Sequence, residues 1–391
     1  MTTLFEKRFK DFFKKNHTRI TQPDVVICLG NEGADIDSFI SSLVVAFAED
    51  CIHVINMRKE VFKSKGDLMY LCDLFRIDTD DLIYLERPLL TSVATKQIGS
   101  YFLVNDVAIP LSEKRIKLIL TDHNEPVDEL REFEVTMVID HHRLENKVEQ
   151  AKRIYIDVDV GSATTLVAKY LGDDLSRKHH CIKDPKNTDP EKVTLCESIA
   201  KLLLIPIVID TSHLKRRTSV FDSYEYKRLK RKAGVKKLEL KTIRKNIQKA
   251  RINDSKIATD IILQKDFKKY IQDKIVFGIA TVKYNFEDWI EREGKNVAGL
   301  GPEKIGLGLW VKLDDFRRSA GLDFLMVGCN WRSSRRFIII NFPLIELFAR
   351  QNDLSLTTYK GVEMYIASEE QSRKNIAPKI REFLSKISFK K

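Results

Sequence analysis

The feature that most constrains this chain is a repeated junction. A short apolar run breaks off abruptly into acidic and imidazole residues. Val25–Leu29 ends at Gly30-Asn31-Glu32-Gly33-Ala34-Asp35-Ile36-Asp37-Ser38. Arg115–Leu120 runs into Thr121-Asp122-His123-Asn124-Glu125, and Val135–Ile139 runs into Asp140-His141-His142. Runs this short and this apolar suit strands buried on both faces. Ile52–Met57 reads as another such strand, and Ile36–Phe47 has helical spacing through Phe39, Leu43, Val44 and Phe47. Strands alternating with helices predict a parallel sheet covered on both faces. In a doubly wound sheet the carboxyl ends of the strands form the rim where ligands bind. The three junctions therefore share one location.

A chain of 391 residues is long for one domain. The expected fold class is α/β: an N-terminal doubly wound parallel sheet, then a smaller C-terminal α/β domain with a mixed sheet, with the active site in the cleft between them. The expected limits are 1–218 for the first domain, 219–240 for a basic hinge and 241–391 for the second domain. Ile275–Val282, Asp323–Val327 and Phe337–Asn341 read as strands of the second unit, and Pro378–Lys391 as a closing helix. Ser198–Ile209 is apolar, with Pro206 expected to kink or end any helix there. Leu214–Arg251 is densely basic and reads as a hinge followed by exposed, solvated helices. Leu4–Phe13 is amphipathic and reads as a helix packed on its own domain rather than on a membrane.

The three strand-end clusters, with Asp210-Thr211-Ser212 after the Pro206 run, bring several carboxylates toward one place. Held together without counter-charge, carboxylates raise one another's pKa. Divalent cations remove that conflict. Asp35, Asp37, Asp122 and Asp210 supply oxygen ligands and His141 a nitrogen, a mixture suited to Mg²⁺ or Mn²⁺, with Co²⁺ as a third candidate. Four carboxylates suit two ions, and paired ions about 3.5–4 Å apart activate water for attack on phosphorus esters and anhydrides. The six cysteines are scattered without a C-x-x-C pair and read as free thiols, not a zinc site. His179-His180 reads as an ordinary loop pair.

Taken in order, these motifs resemble the DHH phosphoesterase superfamily. Within it they resemble the branch holding family II inorganic pyrophosphatases and eukaryotic cytosolic exopolyphosphatases, and length and motif wording are nearest the yeast-type exopolyphosphatases. Gly161–Thr165 is similar to the helix start that the family places after its DHH motif, and Ser372–Pro378 resembles its phosphate-binding Arg-Lys segment. The resemblance implies that Asn31, Asp35 and Asp122 surround one metal. Asp37, Asp122, His141 and Asp210 would hold the second, with Asp122 bridging. His142 would face the reacting phosphate and complete a catalytic set with Asp122 and His141, and Asp140 would orient its neighbours. Arg373 and Lys374 would bind terminal phosphates. Pyrophosphatases of this branch carry His at the position of Asn31, and the exopolyphosphatases carry Asn.

Lys plus Arg number 67 against 56 Asp plus Glu, a net charge of +11 that favours an acidic partner. A long polyanion needs a basic track leading from the metals. Lys215, Arg216 and Arg217 follow Asp210 closely, and Arg332 is expected in a turn between two C-terminal strands. The resulting expectation is a metal-dependent exopolyphosphatase that releases orthophosphate from the end of inorganic polyphosphate. Pyrophosphatase, prune-like or nucleotide phosphoesterase activity is the alternative. A non-catalytic polyanion-binding protein is a further one, disfavoured because the carboxylate set is complete. Prune-like proteins tend to lose the second His of the third motif, and this chain keeps His142. The chain is expected to be a cytoplasmic monomer, with no membrane association and no obligatory nucleic acid. The N-terminus lacks a signal-like apolar core, and no run approaches the roughly 20 residues of a membrane span.

Overall fold

In the computed structural model, residues 4–87, 99–144, 151–172, 190–252, 254–295 and 305–388 are described. His179, His180 and Cys181 lie outside them. Two compact units divide the chain, the first ending at Ala250 and the second beginning at Arg251.

The first unit opens with α1 (Leu4–Arg19), β1 (Asp24–Leu29), α2 (Ile36–Glu49), β2 (Ile52–Ile55), α3 (Lys59–Lys63), α4 (Gly66–Phe75) and β3 (Ile83–Glu86). It continues through β4 (Tyr101–Val104), β5 (Val107–Pro110), β6 (Arg115–Thr121), β7 (Glu134–Asp140) and β8 (Arg153–Ile156). Four helices close it: α5 (Ala163–Leu171), α6 (Pro190–Asp210), α7 (Val220–Lys232) and α8 (Lys237–Arg251). The eight strands form one sheet in the order β5-β4-β3-β2-β1-β6-β7-β8. All pairings are parallel except those of the β4–β5 hairpin at one edge.

The strand order turns back on itself between β1 and β6, so the loops leaving those two strands flank a topological switch point. Register then levels the exits. Leu29 lies opposite Val54 on one side and Leu120 on the other, and Thr121 lies opposite Ile139. The residues that follow β1, β6 and β7 emerge together.

Packing explains two differences from the sequence reading. Helix α6 runs through Pro206 to Asp210. The segment Leu202–Val208 is buried throughout, so tertiary packing holds the helix across a residue that removes one backbone donor. Residues 219–240, expected as a hinge, carry α7 and the first turn of α8. Helix α7 opens with a Ser219/Asp222 capping box. Its Arg228 is 6% exposed and donates to the carbonyls of Ala168 and Gly172 at the end of α5, at 2.8 and 2.6 Å. A buried guanidinium at a helix C-terminus is structural, not a solvated charge. At the other end of the unit, Phe5, Phe9, Phe12 and Phe13 of α1 are buried, and Phe9 stacks on Phe47 with ring centroids 4.7 Å apart. The amphipathic start therefore packs on its own unit.

The second unit comprises α9 (Thr259–Gln264), β9 (Phe267–Gln272), β10 (Ile275–Val282), α10 (Phe286–Gly294), α11 (Leu307–Ser319), β11 (Phe324–Trp331), β12 (Ser334–Ile340), α12 (Ile345–Gln351), β13 (Ser355–Tyr359), β14 (Val362–Ser368) and α13 (Arg373–Ser388). Its mixed sheet runs β13-β14-β12-β11-β10-β9, with only β10 and β11 parallel. Cores fill both faces, one around Trp289, Leu309 and Leu313, the other around Phe277, Phe348 and Ile380. The closing helix begins at Arg373, five residues before the expected start at Pro378, and contains that proline. Among the described residues, no helix is long and apolar enough to cross a membrane.

His53 on β2 is 1% exposed, and its Nε2 lies 3.0 Å from Ser42 Oγ. Burial pushes its pKa down to about 3 from the ordinary value near 6.5. The unfolded chain therefore binds a proton that the folded chain refuses, and stability falls as pH drops below 6.5. Wild-type protein should lose about 2 kcal/mol more than the His53→Leu variant between pH 7 and pH 5 in chelator-treated denaturant titrations. Equal losses would show that His53 ionises freely in the fold.

Candidate metal centre

The loop after β1 turns at Gly30. A Cβ there would sit 2.3 Å from Ser38 Oγ and 2.7 Å from Ser38 O, so only glycine admits the close approach of α2. Asn31 N donates to Ser38 Oγ at 2.5 Å, and Asp35 caps α2 by accepting from Ser38 N at 3.0 Å.

Asp37 lies in the first turn of α2 and is 4% exposed. Its carboxylate accepts from Ser162 Oγ at 2.7 Å, Ala163 N at 2.7 Å and Thr164 N at 3.0 Å. These donors open α5, so Asp37 faces the positive ends of two helix dipoles.

Asp122 follows β6 in a left-handed conformation with φ 60°, and its N–H donates to Ile139 O at 2.9 Å. This turn sends the side chain over the end of β7. Its Oδ1 lies 3.2 Å from His141 Nε2, and its Oδ2 accepts from Asn31 Nδ2 at 2.7 Å. His141 donates from Nδ1 to Val160 O at 3.0 Å, which leaves Nε2 aimed at the carboxylates. Asp37 Oδ2 is 3.9 Å from the same Nε2.

His142 is turned differently. Its Nδ1 donates to Asp140 Oδ1 at 2.8 Å and stands 3.9 Å from Asp122 Oδ1. Asp140 is fully buried, and it also accepts from His141 N at 2.7 Å and Asn124 Nδ2 at 2.6 Å. Burial works against its charge, but the hydrogen bonds from His142 and Asn124 outweigh that and hold the carboxyl below its ordinary range. The His142 side chain is 43% exposed against 19% for His141, so His142 is the more open to an incoming ligand.

The electrostatics of the cluster suit a cation. Burial and the nearby Asp37 charge push the Asp122 carboxyl well above the usual carboxylate range. Burial also raises Asp37, although the His141 charge pulls against it. Burial works to lower the pKa of His141, yet the Asp122 hydrogen bond and the Asp37 and Asp122 charges push it to about 10. The imidazolium is thus the counter-charge that the fold itself offers. Among the described residues, Asp122, His141 and His142 present ligand atoms within 4.8 Å of one another. Hard oxygens beside one imidazole nitrogen fit Mg²⁺ or Mn²⁺.

Other residues named from the sequence fall as follows. Asp35 is exposed, yet its charge reaches both Asp37 and Asp122. Asn31 points its amide nitrogen at Asp122, and its Oδ1 lies 3.1 Å from where a Cβ on Gly33 would stand. An oxygen-ligand role requires half a turn of that amide. Asp210 is the half-buried last residue of α6, and Thr211 beyond it packs over Gly161, at the entry to α5. Lys215, Arg216 and Arg217 are exposed on the loop after α6.

In the second unit, Arg332 is an exposed turn residue over the Trp331 ring. Arg373 lies in the first turn of α13 and pairs with Asp266 at 2.6 Å, and Lys374 beside it is exposed. Ser162, Asn124 and the Val160 carbonyl escaped sequence reading. Ser162 lies in the small-residue helix start at Gly161–Thr165 and Asn124 in the Thr121–Glu125 motif, but neither segment gave those side chains a role.

Comparison with known families identifies the chain's domains. The N-terminal domain of the DHH family matches residues 25–207, and the DHHA2 domain matches residues 245–383. The chain belongs to the DHH family. Exopolyphosphatase PRUNE1 of Rattus norvegicus is 27% identical over 286 residues, 68% of this DHH chain and 54% of the relative. The chain therefore spans about half the length of the PRUNE1 relatives it matches. A candidate exopolyphosphatase of Schizosaccharomyces pombe is 24% identical over 81% of this chain and 75% of its own length. The manganese-dependent inorganic pyrophosphatase of Methanocaldococcus jannaschii is 25% identical over 77% of this chain and 86% of that protein. The crystal structure of a candidate family II inorganic pyrophosphatase from Methanococcus jannaschii aligns over 92% of this chain and 98% of its own. That alignment has a TM-score of 0.59 at 18% identity, a likeness of fold.

Asp122→Asn should cost at least tenfold in Mn²⁺ affinity by isothermal titration, with far-UV circular dichroism unchanged. Asp140→Asn should cost about 10–100-fold by releasing the ligand rings. Because His141 holds a proton that a cation must expel, the binding heat should differ between buffers of different ionisation enthalpy. Affinities equal to wild type would remove these residues from the centre.

Proposed function

We propose that this protein is a metal-dependent exopolyphosphatase. It would hydrolyse the terminal phosphoanhydride of inorganic polyphosphate, with water adding to the end phosphorus, the bridging P–O bond breaking and orthophosphate leaving a chain one unit shorter. The observation that carries the reading is the meeting of Asp122 with His141 at 3.2 Å beside the buried Asp37. It is supported by relatives named exopolyphosphatase and pyrophosphatase.

On this reading Asn31, Asp35, Asp37, Asp122, His141 and Asp210 hold two divalent ions, Mg²⁺ or Mn²⁺. Bound there, the ions supply the charge that makes water nucleophilic and neutralises phosphate oxygens. His142 keeps a proton at Nδ1 against Asp140 and offers Nε2 to an oxygen of the reacting phosphate. Lys215, Arg216 and Arg217 are proposed to bind chain phosphates, as are Arg332, Arg373 and Lys374 of the second unit.

A direct comparison tests the reading: long-chain polyphosphate, pyrophosphate, a cyclic nucleotide and a single-stranded oligonucleotide, each with Mg²⁺ and with Mn²⁺. Orthophosphate should appear fastest from polyphosphate and fall at least 100-fold in Asp122→Asn. Faster turnover of pyrophosphate would reassign the protein as a pyrophosphatase, and faster oligonucleotide turnover as a nuclease.

Asn31 supplies an amide where the pyrophosphatase pattern has imidazole. Asn31→His should therefore bind Mn²⁺ more tightly than wild type in a competition titration and tolerate Mg²⁺ less well. Equal affinity in the two proteins would exclude Asn31 as a metal contact.

A further inference from the structure

A concentration of positive charge lies in the first unit, on α8, within electrostatic reach of His213 three residues beyond Asp210. The loop after α6 passes through three consecutive left-handed residues, Ser212, His213 and Leu214, with φ of 49°, 66° and 63°. Non-glycine residues adopt this conformation only where the surroundings impose it. Here His213 N donates to Val208 O at 2.8 Å, Lys215 N and Arg216 N to Thr211 O at 2.8 and 2.9 Å, and Leu214 N to Thr211 Oγ1 at 3.0 Å. The loop is pinned, and it carries His213 toward α7 and α8.

His213 Nε2 takes the Tyr226 hydroxyl at 3.3 Å, with the two rings edge to face at 5.7 Å. Its Nδ1 is shielded from solvent and has no hydrogen-bond partner among the described residues. The same holds for Arg244 Nε on α8. Arg244 Nε is a donor, and in the tautomer whose Nε2 accepts from Tyr226 the His213 Nδ1 is one too. Buried donors without acceptors are rare in folded proteins, and each calls for a missing partner.

The surrounding charges say what that partner is. Lys237, Lys241 and Arg244 stand at i, i+4 and i+7 on one face of α8. After burial, the influences that most depress the pKa of His213 are Lys237, Arg244, Lys241 and Lys215, all cationic. Glu239 on the same helix is paired with Lys201 at 2.7 Å. A buried guanidinium donor on a face of α8 that carries two lysines, within electrostatic reach of His213, suits an acceptor-only, multiply charged group.

We propose that His213, Arg244, Lys237 and Lys241 form an anion subsite that takes a phosphoryl group. Its use by a polyphosphate chain rests on the function proposed above. Free orthophosphate offers the same oxygens. Three residues of chain place His213 no more than about 11 Å from Asp210. An internal phosphate of a bound chain would then be held here while its end is hydrolysed.

The test reads the imidazole resonances of ring-labelled protein carrying Asp122→Asn, which on the proposed function leaves polyphosphate intact. Long-chain polyphosphate and inorganic phosphate are titrated separately. Movement of the His213 signals with either ligand supports the subsite. Movement with polyphosphate alone identifies a chain contact, and movement with both identifies a general phosphate site. Adding Lys241→Gln and Arg244→Gln should weaken binding by about tenfold or more. Lys245→Gln with Lys249→Gln, an equal loss of charge on the same helix, should change it less than about twofold. If the first pair unfolds, Lys237→Gln with Lys241→Gln, both exposed, replaces it. Unmoved His213 signals with both ligands, or equal weakening by the control pair, would overturn the proposal. Polyphosphate hydrolysis by wild type with unmoved signals would sink the subsite alone. Moved signals with no hydrolysis by wild type would sink the enzyme reading alone.

Discussion

Everything at the switch point depends on how the fold tolerates Asp37 and Asp122 side by side in a buried place. Two carboxylates out of water repel, and burial alone raises both pKa values. The fold gives each a separate anchor. Asp37 receives the amides and hydroxyl that open α5, so it doubles as the cap of that helix. Asp122 receives the Asn31 amide and faces His141. What remains is an excess of negative charge held in fixed geometry, the condition under which a divalent cation binds with little reorganisation.

The supports extend outward from there. Helix α5 is fixed at its start by Asp37 and at its end by Arg228. Asp222, the third helical residue of α7 and the partner of Ser219 in its capping box, also accepts from Gly161 N at 2.8 Å and Thr165 Oγ1 at 2.6 Å. Gly161 follows Val160, whose carbonyl orients His141. A continuous set of hydrogen bonds thus runs from α7 through the entry of α5 to the His141 ring. Residues in a basic stretch that looks like solubilising surface contribute to the precision of the centre.

Sequence made the middle of the first sheet legible because the C-terminal halves of β1, β6 and β7 are buried on both faces and apolar. The β4–β5 hairpin and strands β9 and β13 were not legible. They sit at sheet edges, where side chains are partly exposed and the apolar signal fades. Helices α6 and α13 continue through Pro206 and Pro378, where packing of the surrounding apolar residues outweighs a lost backbone donor. At the site, Asp37, Asp122 and His141 could be named because strand ends converge in this topology. Ser162, Asn124 and the Arg244 approach to His213 depend on which helix lies over which loop, which no local spacing encodes.

The central claim is that this cluster is a cage for divalent cations. Crystals grown with Mn²⁺ and measured at the manganese absorption edge test it most directly. The account predicts anomalous peaks bounded by Asp37, Asp122 and His141, with Asp122 touching more than one ion. Full occupancy of Mn²⁺ elsewhere, with the Asp122–His141 contact still closed and no peak beside it, would contradict it.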